Sequence, residues 1–504
     1  MEIDTSKSEI VQFYRDKNVF ITGASGFLGR LLVEKLLRLC DVKKLYILLR
    51  QKKGVTPKER LHSVFQVPLF DPLRALKPNF MEKIELVEGD VGAPGLGIAE
   101  DMKALLVEKI HVVFHGAATV RFEEPMKRAA AINVRGCRDI TLLCKEMKNL
   151  KAFLHVSTAY CNCPRAEIGE MFYNPPLTAD NLLKLTECLS DEQLGQISQT
   201  IMGDWPNTYA FTKAIAENAI ENYAIGLPVC VYRPGIVIST FKEPIEGWID
   251  NLYGPSGIVA GTAAGLIRVA NADPDARADF VPADLCINGM MAAAYKTYLL
   301  GPDTEIPIFN FTTAKENPLT YGNFNKIIRA HGAKMPPIQA VWYLTLTEIK
   351  SKFWFNIFCF LIHTIPAFLI DTILICLRKP PQALKIYRKI HKFADVLAYF
   401  ALRSWSFQTH NLQALMNGLN KTDRQLFNFD MNSFTWDEMI LSNARGIRKF
   451  IMKEDESNIP AAKRKMFFLH IIHRTFQFAL FCIFMWFTSA VLSPALRYGL
   501  HRLS

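Results

Sequence analysis

The start of the chain lacks the uninterrupted apolar core of a secretion signal. Its first residues, MEIDTSKSEIVQFYRDKN, alternate charged and polar side chains with single apolar ones. We therefore expect the N-terminal segment 1–17 to stay on the cytosolic side of any membrane. The chain also lacks internal repeats and low-complexity tracts, and its 504 residues indicate two or three compact units.

Patterns typical of metal or nucleic-acid binding are missing too. The 11 cysteines are scattered, and Cys161 and Cys163 form only a lone C-x-C, so we expect reduced thiols and no metal site. The 59 Lys and Arg against 48 Asp and Glu give a formal charge of +11, which suits anionic ligands or a membrane surface. No basic stripe with interleaved aromatics accompanies this charge, so we expect no nucleic-acid partner.

Charged residues are absent from two stretches in the last third of the chain. The first, FWFNIFCFLIHTIPAFLI at 353–370, contains Asn356, His363 and Pro366 and is followed by Asp371. These residues make it a poor membrane-spanning helix. We expect a buried or interfacial helix pair there, with membrane insertion as the alternative.

The second stretch, TFQFALFCIFMWFTSAVLSPAL at 475–496, has 22 uncharged residues. As a helix it would be about 33 Å long, enough for a hydrocarbon core of about 30 Å, and it predicts a transmembrane anchor. More basic residues precede it than follow it in the tail 497–504, which favours a cytosolic N-terminal part. These basic residues are Lys463, Arg464, Lys465 and Arg474 before the stretch, and Arg497 and Arg502 after it. The sequence thus predicts a tail-anchored protein, with the lipid bilayer and the tail-anchor targeting machinery as partners.

Short apolar runs alternate with amphipathic runs from residue 18 to about 300. This alternation predicts an α/β fold with a Rossmann-type doubly wound parallel sheet, and a looser region from about 240 that covers a substrate. The candidate strands are 18–23, 44–50, 84–90, 111–117, 152–158 and 228–235.

A glycine-rich turn follows the first candidate strand, in VFITGASGFLGRLL at 19–32. Gly23, Gly26 and Gly29 form G-x-x-G-x-x-G, a pattern that permits a tight turn, close approach to a pyrophosphate and close helix packing. The helix N-terminus would add open N–H groups for the phosphates. The pattern therefore predicts a dinucleotide site, in which we expect the intervening residues Ser25, Phe27 and Leu28 to take part.

The ends of later strands extend this site. Arg50 stands where NAD-preferring proteins usually have a carboxylate, so it favours the 2′-phosphate of NADPH; the alternative is a solvated surface charge. Asp90 and Val91 would reach the adenine edge. Small or cofactor-facing residues follow other strands, and we include three of them in the site: Ala117, Pro234 and Gly235.

Tyr209 and Lys213 lie at i and i+4 in NTYAFTKAIAEN, which places them on one helix face. A nearby ammonium would favour the tyrosine phenolate, and the same lysine can hold the nicotinamide ribose. Ser157 and Thr158 end a strand and supply a hydroxyl for a developing oxyanion. Asn133 either supports a water path to Lys213 or is a polar helix residue whose hydrogen bonds are satisfied without such a path.

Several motifs together resemble the extended short-chain dehydrogenase/reductase superfamily, and within it the animal-type alcohol-forming fatty acyl-CoA reductases. They are FITGASGFLGRLLVEKLL, HGAATVRF, FLHVSTAY, NTYAFTKAIAE, YRPGIV, GWIDNLYGPSG and NFDMNSFTWDEMI. The resemblance implies a long-chain acyl-CoA substrate, two NADPH and a primary alcohol product. It assigns Tyr209 and Lys213 to the family's Y-x-x-x-K pair and favours Thr158 over Ser157 as the active hydroxyl.

The resemblance also implies a division of the chain. We expect an NADPH-binding reductase domain at 18–345, a helical domain at 346–455 and a basic juxtamembrane segment at 456–474. Animal members sit on the peroxisomal membrane or the endoplasmic reticulum, and the basic flanks favour the peroxisome. Two other functions stay open: a membrane-bound reductase acting on a sterol or nucleotide sugar, and a non-catalytic NADP-binding scaffold.

Overall fold

The computed structural model describes residues 4–52, 54–313 and 315–501, with side chains up to residue 490. Arg502 and the end of the expected tail lie outside these residues, as does the side chain of Arg497. The strands, in chain order, are β1 Asn18–Thr22, β2 Lys44–Leu49, β3 Ile84–Glu88, β4 Val112–His115, β5 Ala152–Val156, β6 Glu167–Ile168, β7 Val229–Pro234, β8 Ile236–Ile238, β9 Val269–Ala270, β10 Phe280–Pro282, β11 Ile308–Phe311, β12 Thr347–Glu348 and β13 Ser406–Phe407.

Seven strands form one parallel sheet in the order β11-β7-β5-β4-β1-β2-β3. Six of them are the strands expected from the sequence, each within three residues of its predicted ends, because continuous apolar runs are typical of strands buried on both faces. The seventh, β11, was not predicted. The strand order reverses between β1 and β4, and such a switch point opens the crevice where this fold binds its ligand. The predicted fold class is confirmed.

Helices cover both faces of the sheet and form the C-terminal third of the chain. They are α1 Glu9–Tyr14, α2 Phe27–Leu39, α3 Pro57–Phe65, α4 Asp71–Leu76, α5 Glu100–Lys109, α6 Met126–Ala129, α7 Gly136–Glu146, α8 Ala179–Cys188, α9 Asp191–Met202, α10 Thr208–Tyr223, α11 Pro255–Ala263, α12 Ala283–Leu300, α13 Tyr321–Lys334, α14 Lys352–Cys359, α15 Ile365–Cys376, α16 Ala383–Ala401, α17 His410–Asn417, α18 Lys421–Leu426, α19 Trp436–Gly446 and α20 Ile459–His501.

The two ends of the chain share one hydrophobic core. Apolar residues of α1, α2 and α12 cluster with those of α17 and α19. A buried polar contact joins the same regions, because the Asp423 carboxylate accepts a hydrogen bond from the Glu9 backbone N–H at 3.1 Å. The helical C-terminal region therefore packs directly against the sheet's helices.

Two of the described helical segments are long and apolar enough to cross a bilayer. They are Lys352–Cys376, with 25 residues, and Glu456–Ala490, with 35 residues. The first combines α14, a π-helical turn at Phe360–Thr364 and α15. The second includes residues 475–490 of the predicted anchor, whose apolar side chains up to Phe487 are exposed.

Candidate functional site

The glycine turn after β1 forms a cradle that leaves no room for side chains. Gly23 has φ +81°, and a Cβ there would lie 2.7 Å from the backbone nitrogen of Ala117, which follows β4. A Cβ on Gly29 would lie 2.2 Å from the Gly23 carbonyl oxygen. Gly26 precedes α2 without a side-chain cap, so the first N–H groups of that helix stay open to an anion. This geometry fits a dinucleotide pyrophosphate.

Three arginines converge beside this cradle. The Arg60 guanidinium donates to the Ser25 hydroxyl at 3.2 Å and to the Arg50 carbonyl at 2.5 Å. Burial, together with the charges of Arg50 and Arg30, lowers the pKa of Arg60. Arg50 also pairs with Asp90 at 2.9 Å, and both side chains are half-exposed. An added phosphate would relieve the repulsion among the three cations.

The sequence analysis identified Arg50 in this group but missed the other two arginines. Arg30 had a signal, because it directly follows the third glycine of the turn. Arg60 had none, since it lies ten residues after Arg50 on α3 and reaches the turn only through the fold.

Two of the predicted catalytic hydroxyls face one cavity. Among the described residues, its wall includes Thr158 and Tyr209 but not the neighbouring Ser157, which is buried. The Tyr209 ring stacks on Phe122, with ring centroids 5.8 Å apart. Burial raises the pKa of Tyr209 to about 12, and the nearby Thr158 hydroxyl offsets part of that rise.

Lys213 is buried one helical turn after Tyr209 on α10, as the spacing predicts. Its ammonium donates to the Val156 carbonyl at 2.7 Å, at the end of β5. Burial lowers the pKa of Lys213 to about 8. The ammonium is thus held at the strand end, and its expected stabilising effect on the Tyr209 phenolate stays a prediction.

Asn133 is fully engaged in local hydrogen bonds. Its side-chain oxygen accepts from the Thr119 N–H at 2.9 Å, and its amide donates to the Thr212 hydroxyl at 2.9 Å. It lies in a π-helical turn at Ala130–Arg135 that packs against α10. These contacts fit the structural alternative given for Asn133, and they connect that turn with the helix carrying Tyr209.

The other predicted cofactor residues surround the cradle or the cavity. Phe27 opens α2 and stacks on Trp248, with centroids 5.1 Å apart. Leu28 packs beside it against the core, while Val91 is buried after β3. Gly235 lines the cavity after Pro234, and a Cβ on Gly235 would meet the Asp279 carbonyl at 2.5 Å.

The cavity has a volume of about 250 Å³ and a mostly apolar wall. It extends from the Tyr209 hydroxyl to the C-terminal helices α14 and α16. Its larger apolar lining residues include Ile258, Ile267, Phe280, Phe324, Phe355 and Phe400. Such a space suits a long hydrocarbon chain attached to a reactive group at the Tyr209 end.

Asp279 is a buried carboxylate next to this cavity that the sequence analysis did not identify. Neither of its oxygens has a hydrogen-bond partner among the described residues. Burial raises the pKa of Asp279 to about 7. Burial and then the charge of Asp279 raise the pKa of Tyr160 and Tyr321, which line the cavity. The only sequence signal was an acidic residue within the apolar run ADFVP.

All eleven cysteines are free thiols. Two groups of described His and Cys side chains lie close enough to share an ion: His115 with Cys137 and His155, and Cys359 with His363 and His391. In the second group, the His363 Nε2 atom accepts the Arg268 N–H at 3.2 Å, so Nδ1 carries the proton and faces His391. This tautomer makes a hydrogen-bonded histidine pair and leaves His363 without a free lone pair for a metal.

Comparisons with known protein families match most of the chain. An NAD-binding family model covers residues 21–290, and a second model, Sterile, covers residues 362–454; both are described as "Male sterility protein".

Curated relatives match over nearly the full length. The "Fatty acyl-CoA reductase wat" of Drosophila melanogaster is 39% identical over 486 residues, which is 96% of this chain and 94% of that protein. The human "Fatty acyl-CoA reductase 1" is 38% identical over 458 residues, 91% of this chain and 89% of that protein.

Solved structures support the fold at low identity. The reductase domain of a nonribosomal peptide synthetase from Mycobacterium tuberculosis has a TM-score of 0.57 at 18% identity, covering 88% of this chain and 95% of that domain. The terminal R domain of the myxalamid PKS-NRPS pathway has a TM-score of 0.55 at 18% identity, covering 86% of this chain and 90% of that chain.

Proposed function

The chain belongs to the fatty acyl-CoA reductase family, and we propose that it uses NADPH to reduce long-chain fatty acyl-CoA to a primary fatty alcohol. The reaction takes two hydride transfers and passes through the aldehyde, and its product supplies ether-lipid or wax synthesis. The observation that carries the proposal is the position of Tyr209 and Thr158 at the wall of an apolar cavity. Burial of an acyl chain there is favourable by about 0.8 kcal/mol for each methylene removed from water.

The arginine group beside the glycine turn supports NADPH over NADH. Arg30, Arg50 and Arg60 present three positive charges where the ribose 2′-phosphate would lie, and Arg60 is already fixed by its bond to Ser25. Arg50 and Arg30 pair with Asp90 and Asp250, so the three cations near the 2′ position face only two carboxylates, and the 2′-hydroxyl of NADH would add no negative charge. We therefore expect a strong preference for NADPH.

Each residue of the site has its own role in the proposed reduction. When bound, NADPH would supply one hydride, so the two reductions need two NADPH molecules that occupy the site in turn. The Tyr209 and Thr158 hydroxyls donate hydrogen bonds to the carbonyl oxygen and stabilise the charge that develops on it, with Ser157 as the second choice to Thr158. After the first reduction the thiohemiacetal releases CoA thiolate, and after the second Tyr209 protonates the alkoxide. Lys213 holds the ribose and favours the phenolate that remains.

The apolar helix α20 and the acyl substrate favour a membrane location. We propose a single-pass tail anchor with the catalytic part facing the cytosol, inserted through the tail-anchor targeting machinery. The basic residues on both sides of the anchor favour the peroxisomal membrane, with the endoplasmic reticulum as the alternative. Imaging of the full-length tagged chain beside markers of both organelles tests this choice.

Product analysis tests the reaction itself. Purified full-length protein is incubated with NADPH or NADH and a series of acyl-CoAs, and products are separated by gas chromatography. We expect primary alcohol from long-chain acyl-CoA with NADPH. Aldehyde as the only product would limit the reaction to one reduction. Cofactor binding without any product would support the non-catalytic alternative.

A further inference from the structure

The helical segment Lys352–Cys376 has one face that is both apolar and exposed. Between residues 353 and 377, twelve large apolar side chains are exposed, and several are more than half accessible, including Phe353 at 66%, Phe368 at 60% and Leu377 at 62%. A soluble surface rarely carries an apolar patch of this extent without a partner. The question is which partner covers it.

The opposite face of the same segment is held by the protein. Its buried residues recur every four positions, as expected for one helix face: Phe355, Cys359, His363, Ala367 and Asp371. Of the polar residues that make this segment a poor spanning helix, His363 and Asp371 therefore point into the protein, whereas Asn356 is exposed. One face of the segment thus packs against the protein and carries two of its polar residues, whereas the opposite face is apolar and exposed.

Hydrogen bonds fix both polar residues in place. His363 accepts the Arg268 backbone N–H at 3.2 Å and contacts His391 at 3.2 Å. The Asp371 carboxylate accepts three backbone N–H groups at the start of α16, at 2.8–3.0 Å. Crossing a bilayer would break these bonds and leave polar groups in hydrocarbon, at a cost of several kcal/mol each. The contacts therefore favour an orientation in which this segment does not span the bilayer.

A chain of contacts joins this segment to the point where α20 leaves the protein body. The Trp342 indole donates to His473 of α20 at 3.1 Å. The Arg268 guanidinium lies 5.8 Å from the Trp342 ring centroid, and the Arg268 N–H is bonded to His363. From Phe476 onward, the described apolar side chains of α20 are exposed. The segment and the point where the anchor emerges are thus neighbours in the structure.

The charges around the segment match a lipid headgroup layer. Residues 352–395 contain seven Lys and Arg and two acidic residues: Asp395, which pairs with Lys352, and the buried Asp371, while Lys392 pairs with Glu123. Four of the basic residues are exposed on α16, the partner helix: Lys385, Arg388, Lys389 and Lys392. Basic side chains beside an apolar face are typical of helices that lie in the interface of an anionic membrane.

We propose that the exposed face of Lys352–Cys376 lies in the plane of the membrane, in the same bilayer that holds α20. Three buried residues of this segment also line the apolar cavity that Tyr209 and Thr158 face: Phe355, Cys359 and His363. Helices α14 and α16 then form the wall between the cavity and the bilayer. Provided that the proposed function holds, the acyl chain and the alcohol product exchange across this wall without entering water.

Tryptophan fluorescence in vesicles tests the orientation independently of activity. The full chain is reconstituted in phosphatidylcholine–phosphatidylserine vesicles with lipids brominated either near the headgroup or near the bilayer centre. The difference between wild type and Trp354→Phe isolates Trp354, which is 54% exposed on this face. We expect stronger quenching by the headgroup-proximal bromines. Trp486→Phe, on the anchor, and Trp436→Phe, in the core, serve as membrane-embedded and shielded controls.

Two results would overturn the proposal. An unquenched Trp354 signal would mean that something other than lipid covers the face, a second copy of the chain included. Quenching strongest at the bilayer centre would mean that the helix spans.

A double variant tests the functional consequence. Leu361→Asp with Leu369→Asp places charges on the outer face, and Ile225→Asp with Leu299→Asp places them at exposed apolar sites elsewhere. We expect roughly a tenfold lower rate with vesicle-bound palmitoyl-CoA in the first variant only, because the charges weaken interfacial binding. Water-soluble octanoyl-CoA should be reduced at the wild-type rate by both variants. An equal loss with both substrates, or none, contradicts the exchange route. A wild type that reduces neither substrate would refute the proposed function and leave the fluorescence result unaffected.

Discussion

The Arg60 guanidinium donates a hydrogen bond to the Ser25 hydroxyl, 3.2 Å away, and so connects α3 to the glycine turn. This bond holds a cation at the edge of a site whose turn excludes side chains. It also brings Arg60 near Arg30 and Arg50. Burial lowers the pKa of Arg60 the most, and the positive charges of Arg50 and Arg30 lower it further. We therefore expect the selectivity between NADPH and NADH to depend on this group of cations.

Replacement of Arg60 by Ala should weaken NADPH binding and leave NADH binding nearly unchanged. A charge-assisted bond to phosphate is worth roughly 1.5–3 kcal/mol, so KM for NADPH should rise by about tenfold or more. Steady-state kinetics with both cofactors measures this. Arg74→Ala, at an arginine that pairs with Asp71 near the surface, is the control. A parallel rise for both cofactors would indicate a general loss of structure.

Replacement of Tyr209 by Phe should lower kcat by roughly a hundredfold or more, because the site loses its proton donor. The matched control is Tyr232→Phe, which removes a buried hydroxyl without a hydrogen-bond partner among the described residues. That variant should keep wild-type turnover. Equal turnover of Tyr209→Phe and wild type, with both folded, would refute the assigned role.

The two adjacent hydroxyls at the end of β5 should behave differently. Thr158→Val removes the hydroxyl on the cavity wall and should lower kcat by roughly a hundredfold with little effect on KM. Ser157→Ala changes a buried position away from the cavity and should have a much smaller effect. Measurement of kcat and KM for both variants decides between them. The reverse order of effects would transfer the oxyanion role to Ser157.

Asp279→Asn should change the pH dependence of stability. Burial raises the folded-state pKa of Asp279 from 3.8 to about 7, so the folded protein binds a proton that the unfolded chain releases. The stabilising contribution is complete below pH 3.8 and is lost as pH rises towards 7. The wild type should therefore lose up to about 4 kcal/mol relative to the variant across this window.

Thermal unfolding in detergent at a series of pH values measures this difference. Asp71→Asn, at an exposed carboxylate, should show no comparable trend. A constant difference in melting temperature between wild type and Asp279→Asn would show that Asp279 has an ordinary pKa in the folded protein.

Local sequence patterns were sufficient for the sheet and the cofactor turn. Six of the seven strands followed from continuous apolar runs, because a strand buried on both faces needs apolar residues at every position. β11 was not predicted, because it is a short edge strand, Ile308–Phe311, in a region where apolar and polar residues do not alternate clearly. Backbone atoms lie too close to Gly23 and Gly29 for any side chain, so these positions require glycine. The resulting glycine pattern is visible in the sequence.

The sequence by itself thus determined six strands of the sheet, the glycine turn and the Tyr209–Lys213 spacing, since each depends on residues close together along the chain. Only the tertiary structure brought Arg60 to Ser25 and placed Asp279 beside the cavity. It also decided which face of 352–376 is buried, because His363 and Asp371 find their partners in other segments. Composition identifies an apolar helix, whereas the contacts of its polar residues decide which way it faces.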